Sequence, residues 1–219
     1  MKTDAFLERL SAAFDGFPRG ELPLDVRFAE ILEAVPGLAR ANNLALLNVA
    51  ASCLDPGESY VEVGTYHGTS LIAALLENDG DFVALDNWSL GDGSREQLER
   101  NLARFGLTGR PTLIEGDAFE TLRSGALDGR RVGVYYYDNG HEYEQQLDGM
   151  RLIEPYLVDD ALVIVDDTDW ERVERAVIDY LAEQPRAAEI LLIDGKDRGY
   201  PEWWEGMRVL RWRAATPQG

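Results

Sequence analysis

The sequence has one cysteine, Cys53, in 219 residues. A lone thiol forms no intrachain disulfide and cannot build a cysteine metal cluster. Positive charge is also scarce: 21 Lys and Arg stand against 40 Asp and Glu, for a net charge of −19. That balance repels phosphate backbones, and the arginines are scattered, so no nucleic-acid partner is expected. No apolar run approaches the roughly 20 residues of a membrane span, so no membrane association is expected either. The opening residues, MKTDAFLERL, are charged and amphipathic rather than signal-like, which predicts a cytoplasmic protein. A dinucleotide fingerprint, G-x-G-x-x-G, is missing where it would belong, because Tyr66 stands in place of its second glycine.

Alternating strands and helices are present in their place. Residues 1–57 read as helices only, with Phe6, Leu7, Leu10, Ala13 and Phe14 marking one apolar face closed by Gly16. Asp25 is placed to cap a second helix, and 38–54 to form a third. This segment is expected to pack on the sheet or to act as a cap or lid. Residues 58–213 then give strands at 60–63, 82–86, 111–117, 131–138 and 161–167, each followed by a helical pattern. Ser94 to Gln97 and Thr168 to Glu171 have the spacing of capping boxes. Two last strands, 189–194 and 207–212, have no helix between them and predict an antiparallel pair. The fold class expected is therefore α/β: a doubly wound, mostly parallel sheet with an antiparallel C-terminal strand pair and N-terminal helices. Residues 214–219 are expected to form a loose tail.

The stretch Tyr60–Ser70, YVEVGTYHGTS, organises this arrangement. Strand, glycine turn and helix start follow one another, which is how α/β proteins build a ligand site at the carboxyl end of a strand. Acids recur near the strand ends: Glu62, Asp86, Asp117, Asp138 and the pair Asp166-Asp167. In an open parallel sheet these ends share one edge, where the ligand lies. With Tyr66 in the turn, the ligand is expected to be smaller and less anionic than a dinucleotide.

EVGTYHGTS, the LDNWS around Asp86-Asn87-Trp88, and the EGDAFE around Asp117-Ala118 resemble the S-adenosylmethionine signatures of class I methyltransferases. The resemblance runs from about Leu44 to the end of the chain. It implies that Glu62, Gly64, Thr65, Tyr66 and Gly68 hold the methionine end of the donor. It places Asp86 at the ribose, Trp88 against the cofactor and Asp117-Ala118 at the adenine, with Asn87 and Asp138 also among the donor-binding residues. The later stretches YYYDNGHEYE and VIVDD resemble the metal-dependent O-methyltransferases of the catechol and macrocin types.

By that resemblance Asp138, Asp166 and Asp167 are ligands of one Mg²⁺-like divalent cation, and His141 is the base. Chemistry agrees in kind: hard cations take oxygen ligands, and adjacent carboxylates repel one another without a cation. An imidazole with an ordinary pKa of about 6.5 accepts a proton at neutral pH. Where the macrocin-type pattern has a second acid, this chain has Gly140, so the base role rests on His141 or on the metal alone. The expected partner is a small-molecule acceptor, with a homo-oligomer open. Three alternatives stand beside this reading: a metal-free O- or N-methyltransferase, a nicotinamide oxidoreductase, and a non-catalytic binding protein. Trp203-Trp204 either wall the acceptor or pack against the N-terminal helices or a second subunit.

Overall fold

Within each strand, odd and even residues go to opposite faces, and both faces are apolar. In the computed structural model, which describes residues 1–20 and 22–213, Tyr60, Phe82, Ala84, Val134, Tyr136, Leu162 and Ile164 enter one core. Val61, Val63, Val83, Leu85, Tyr135, Tyr137, Val163 and Val165 enter the other. A sheet apolar on both faces needs cover on both. The first core is covered by α1 (Thr3–Ala12), α2 (Arg27–Ala34), α3 (Ala41–Ser52), α4 (Thr69–Leu75) and α5 (Arg95–Arg104). The second is covered by α6 (Ala118–Arg123), α7 (Tyr143–Ile153) and α8 (Glu171–Glu183).

The sheet has seven strands: β1 (Ser59–Val63), β2 (Asp81–Asp86), β3 (Pro111–Glu115), β4 (Val132–Tyr137), β5 (Leu157–Asp166), β6 (Ala187–Ile193) and β7 (Met207–Arg213). Their order is β3-β2-β1-β4-β5-β7-β6. The first five are parallel, whereas β7 runs antiparallel to both β5 and β6. This is the Rossmann-like methyltransferase fold with its antiparallel C-terminal pair. The order reverses between β1 and β4, and the crevice beyond that point is where such sheets take ligands.

Local expectations fare unevenly. Ser94 caps α5, accepting the Gln97 N–H at 3.1 Å. Asp25 accepts the Arg27 N–H at 3.0 Å and is paired with the Arg27 guanidinium, just ahead of α2. The Thr168–Glu171 capping box does not form. Helix α8 begins at Glu171 behind Trp170, because Thr168 and Asp169 give their N–H groups to Gly206 and Glu205 at 3.3 and 2.7 Å. No helix among the described residues is long and apolar enough to cross a membrane. The tail expected at 214–219 lies outside the described residues.

Candidate active site

The glycine turn sits at the reversal point. Gly64 donates to Leu85 O at 2.9 Å, and Asp138 donates to Val63 O at 2.9 Å, so the turn and the end of β4 lie side by side. Gly64 has φ +87°, and a Cβ there would fall 1.8 Å from the Asp138 carbonyl oxygen. Only glycine allows this approach. Tyr66 follows at φ +48°, stacks on His67 at 3.8 Å and donates its hydroxyl to Asp92 at 2.5 Å. Asp86 ends β2 and ties the turn down. Its carboxylate accepts Thr65 N–H and Tyr66 N–H, each at 2.7 Å, and Trp88 N–H at 2.6 Å.

These residues form part of a cleft of about 490 Å³, a volume in the range of small-molecule sites. Gly64, Thr65, Tyr66, Ser70, Asp86 and Asn87 line one part of it, and Asp138, His141, Asp167, Trp170, Trp204 and Glu205 another. A larger concavity of about 790 Å³ lies beside Tyr143 and 170–175, but it is an open surface depression with Glu171 as its one acid.

At the second part of the cleft, Asp138, His141 and Asp167 each turn one donor atom inward, all within 4.8 Å of one another. His141 Nε2 lies 2.6 Å from Asp167 Oδ2 and 3.7 Å from Asp138 Oδ1. Asp138 and Asp167 follow the adjacent parallel strands β4 and β5, and His141 stands just ahead of α7, so topology alone brings them together. The Asp138 and Asp167 carboxylates beside it push the His141 imidazole up to about 10 against the opposing effect of burial. Burial raises the Asp138 carboxyl, and the nearby Asp167 charge adds to it, although His141 opposes the shift. Asp166 is driven well above the carboxylate range by burial and by the charges of Asp138 and Asp167. Three acids crowded beside a single imidazole form a donor set that a divalent cation would relieve, so the residues fit such an ion.

Several expected residues stand elsewhere. Glu62 does not cap its strand toward the cleft. It shares the Tyr60 face of β1, is fully buried, and accepts from the Tyr60 hydroxyl at 2.9 Å and the Ser70 hydroxyl at 3.0 Å. Trp88 donates its indole N–H to Tyr66 O at 3.1 Å and supports the turn from behind, outside the cleft lining. Asp117 is exposed and caps α6 by accepting Glu120 N–H at 2.9 Å, while Ala118 packs in the second core. Gly68 starts α4 at φ +89° against Leu98. Asp166 accepts from the Tyr136 hydroxyl and from Asp167 N–H at 2.9 Å rather than joining the convergent trio.

The two tryptophans divide the roles between them. Trp203 is fully buried against Phe14 and Phe17 and donates to Pro18 O at 2.8 Å, tying the loop to the N-terminal segment. Trp204 lines the cleft, with the Lys196 ammonium 3.6 Å from its ring centroid. Tyr136, Trp170 and Glu205 also line the cleft and were not singled out from the sequence. For Tyr136 the signal was available, since it lies two residues before Asp138 and so shares its face of the strand.

Glu62 carries a pH prediction. Burial pushes its carboxyl from 4.5 up to about 8, with hydrogen bonds from Tyr60 and Ser70 opposing. Between these two values the folded chain holds a proton that the unfolded chain releases. Stability from this group is full below pH 4.5, falls as pH rises, and levels off above 8. Glu62→Gln should remove that part of the pH dependence, worth roughly 4–5 kcal/mol at most across the window. Urea unfolding of both proteins at pH 5 and pH 8.5 measures it. An identical pH slope in the two would refute the buried acid.

The cleft lies at the reversal point of the sheet order, and comparison with known proteins supplies the class. Residues 61–168 match the family model described as "Methyltransferase domain", so the chain is an enzyme of the methyltransferase class. No curated protein matches the sequence. Among solved structures it is similar to the O-methyltransferase TomG from Streptomyces achromogenes, involved in tomaymycin synthesis and solved with S-adenosylmethionine (SAM). That likeness has 17% identity, 96% of each chain covered and a TM-score of 0.66. It is also similar to the Podospora anserina methyltransferase PaMTH1 bound to S-adenosylhomocysteine (SAH), with 17% identity, 97% of this chain and 95% of that one covered, and a TM-score of 0.62. A Bacillus cereus O-methyltransferase in complex with SAH is 13% identical, with 97% and 90% covered and a TM-score of 0.58. At such identities these likenesses establish the fold.

Proposed function

We propose that this methyltransferase takes its methyl group from S-adenosylmethionine and passes it to a hydroxyl of a small molecule, assisted by a divalent cation. The observation that carries the reading is the Asp138–His141–Asp167 cluster facing the same cleft as the Gly64–Tyr66 turn. Gly64, Thr65 and Tyr66 offer backbone to the donor, and Asp86, which still has free lone pairs, is placed to accept from its ribose. Trp204 and Trp170 wall the acceptor end and keep water from it. His141 takes the hydroxyl proton, the acceptor oxygen forms a bond to the methyl carbon, and the carbon–sulfur bond breaks with its electron pair left on sulfur. A bound divalent cation would supply Lewis acidity toward the acceptor hydroxyl and neutralise the carboxylates that now hold a proton on His141. Asp138 and Asp167 are the residues nearest to hand for it, with Asp166 directly behind them. Alignment of oxygen, carbon and sulfur would supply much of the rate, since effective molarities in oriented pairs reach about 10⁵ M or more.

Titration calorimetry with SAM, SAH and NAD tests the donor, and turnover with and without excess EDTA tests the cation. Binding of the first two ligands but not NAD, and loss of turnover with EDTA that Mg²⁺ restores, are the expected results. NAD binding alone would overturn the reading, and full activity in EDTA would remove the cation from it.

A further inference from the structure

The geometry points to Tyr136 as a positioning residue of the catalytic cluster: its hydroxyl, shared between Asp166 and Asp138, sets which oxygen Asp138 presents to His141. This rests on the cation-assisted reading above. Tyr136 is on β4, two residues before Asp138, with 2% of its surface exposed, and it lines the floor of the cleft. Its hydroxyl donates to Asp166 Oδ2 and lies 3.3 Å from Asp138 Oδ2. The single proton goes to Asp166, the nearer acceptor, and Asp138 Oδ2 rests against the same hydroxyl as a longer, secondary contact.

The consequence appears in how each acid uses its two oxygens. Asp138 has Oδ2 on the tyrosine and Oδ1 toward His141 at 3.7 Å. Asp166 has Oδ2 on the tyrosine and Oδ1 on the Asp167 N–H at 2.9 Å, so it also fixes the backbone from which Asp167 reaches His141 at 2.6 Å. Tyr136 and Asp166 thus act on the cluster through Asp138 and Asp167. An apolar side chain would have filled the same space in the core. The hydroxyl instead satisfies an Asp166 oxygen and lies against Asp138 Oδ2, in a site where an unpartnered charge is costly. Partners that orient ligating groups in this way are commonly worth 10–100-fold in metal affinity.

Tyr136→Phe removes one oxygen and keeps the ring, so the core stays filled. Mn²⁺ binding to the SAM-free protein is measured by electron paramagnetic resonance, and kcat and KM are measured separately. Tyr136→Phe should weaken Mn²⁺ by about 10-fold or more and lower kcat, with the KM for SAM unchanged. The control is Tyr135→Phe. Tyr135 is the next residue on the strand and donates to Gly149 O at 3.1 Å on the opposite, buried face. It loses a comparable buried hydrogen bond, and its Mn²⁺ affinity should stay at the wild-type value. Asp166→Asn, which still accepts from the tyrosine, should weaken Mn²⁺ too. If wild type binds Mn²⁺ and Tyr136→Phe binds it equally well with unchanged kcat, the Tyr136 role is wrong and the cation reading stands. If wild type binds no Mn²⁺, the cation reading falls and takes this role with it. An equal loss in Tyr135→Phe would reduce the effect to general packing and overturn the assignment.

Discussion

Asp167→Ala is expected to lower turnover by roughly 10²–10³-fold or more while leaving SAM affinity nearly intact. Asp167 is 7% exposed, and its Oδ2 makes the shortest contact in the cluster, 2.6 Å from His141 Nε2. The substitution removes both a candidate cation ligand and the group that orients the imidazole. The donor end of the cleft is built by the turn after β1 and by Asp86 at the end of β2, which hydrogen-bond to each other rather than to Asp167. One complication is local: Asp167 has φ +57°, a left-handed conformation that Asp and Asn tolerate better than Ala. The Ala variant should therefore also lose some stability, a fraction of the roughly 1–2 kcal/mol that the left-handed conformation costs any side-chain-bearing residue. Asp167→Asn keeps the backbone preference and one oxygen donor but drops the charge, so its loss of kcat should be smaller. Single-turnover rates with radiolabelled donor, alongside calorimetric SAM binding, separate the two effects. An Ala variant with wild-type kcat would remove Asp167 from the chemistry, and one that no longer binds SAM would make it part of the donor site.

The sheet was legible because hydrophobic alternation and glycine turns are local signals. β1 to β5 and the last two strands appear within a few residues of where the pattern placed them, and so do most helices. Failures occurred where a tertiary contact overrode a local one. Thr168 has a capping sequence, but its N–H is drawn into the loop before β7, and the helix starts later. Glu62 looked like a strand-end acid because it lies two residues before the turn. In the structure it lies buried beside Tyr136 on the Tyr60 face of β1, held by the Tyr60 and Ser70 hydroxyls rather than standing free at the strand end. Asp117 and Ala118 do what local sequence alone would have them do, cap and pack a short helix. The convergence of Asp138, His141 and Asp167 was foreseeable from spacing and strand order, whereas the retreat of Asp166 behind Tyr136 needed side-chain geometry. The split between Trp203 and Trp204 follows from the tight turn that carries them, where Trp203 N–H donates to Tyr200 O at 3.0 Å and Trp204 N–H to Asn43 Oδ1 at 3.1 Å, contacts that local sequence does not announce.

Gly64→Ala is expected to be the most damaging glycine-to-alanine change among the described residues, costing about 3 kcal/mol or more and abolishing SAM binding. Two terms add. Alanine at φ +87° pays roughly 1–2 kcal/mol for the left-handed backbone. Its methyl would also sit 1.8 Å from the Asp138 carbonyl oxygen and 2.7 Å from its carbon, atoms of a backbone that cannot rotate away. Relief requires β1 and β4 to part at their carboxyl ends, where Asp138 N–H reaches Val63 O at 2.9 Å. That movement would spoil the donor turn and displace Asp138 from His141 in one step. Gly57→Ala separates the two terms: it has φ +81° and nothing within 4 Å of the added carbon, so it pays for conformation alone. In urea, Gly57→Ala should shift the midpoint modestly at constant m. Gly64→Ala should shift it at least twice as far, and at this chain length 3 kcal/mol corresponds to a fall of about 6–12 °C in Tm. If the two variants lose equal stability and both still bind SAM, β4 yields more easily than the close approach implies, and the turn is not held by the strand beside it.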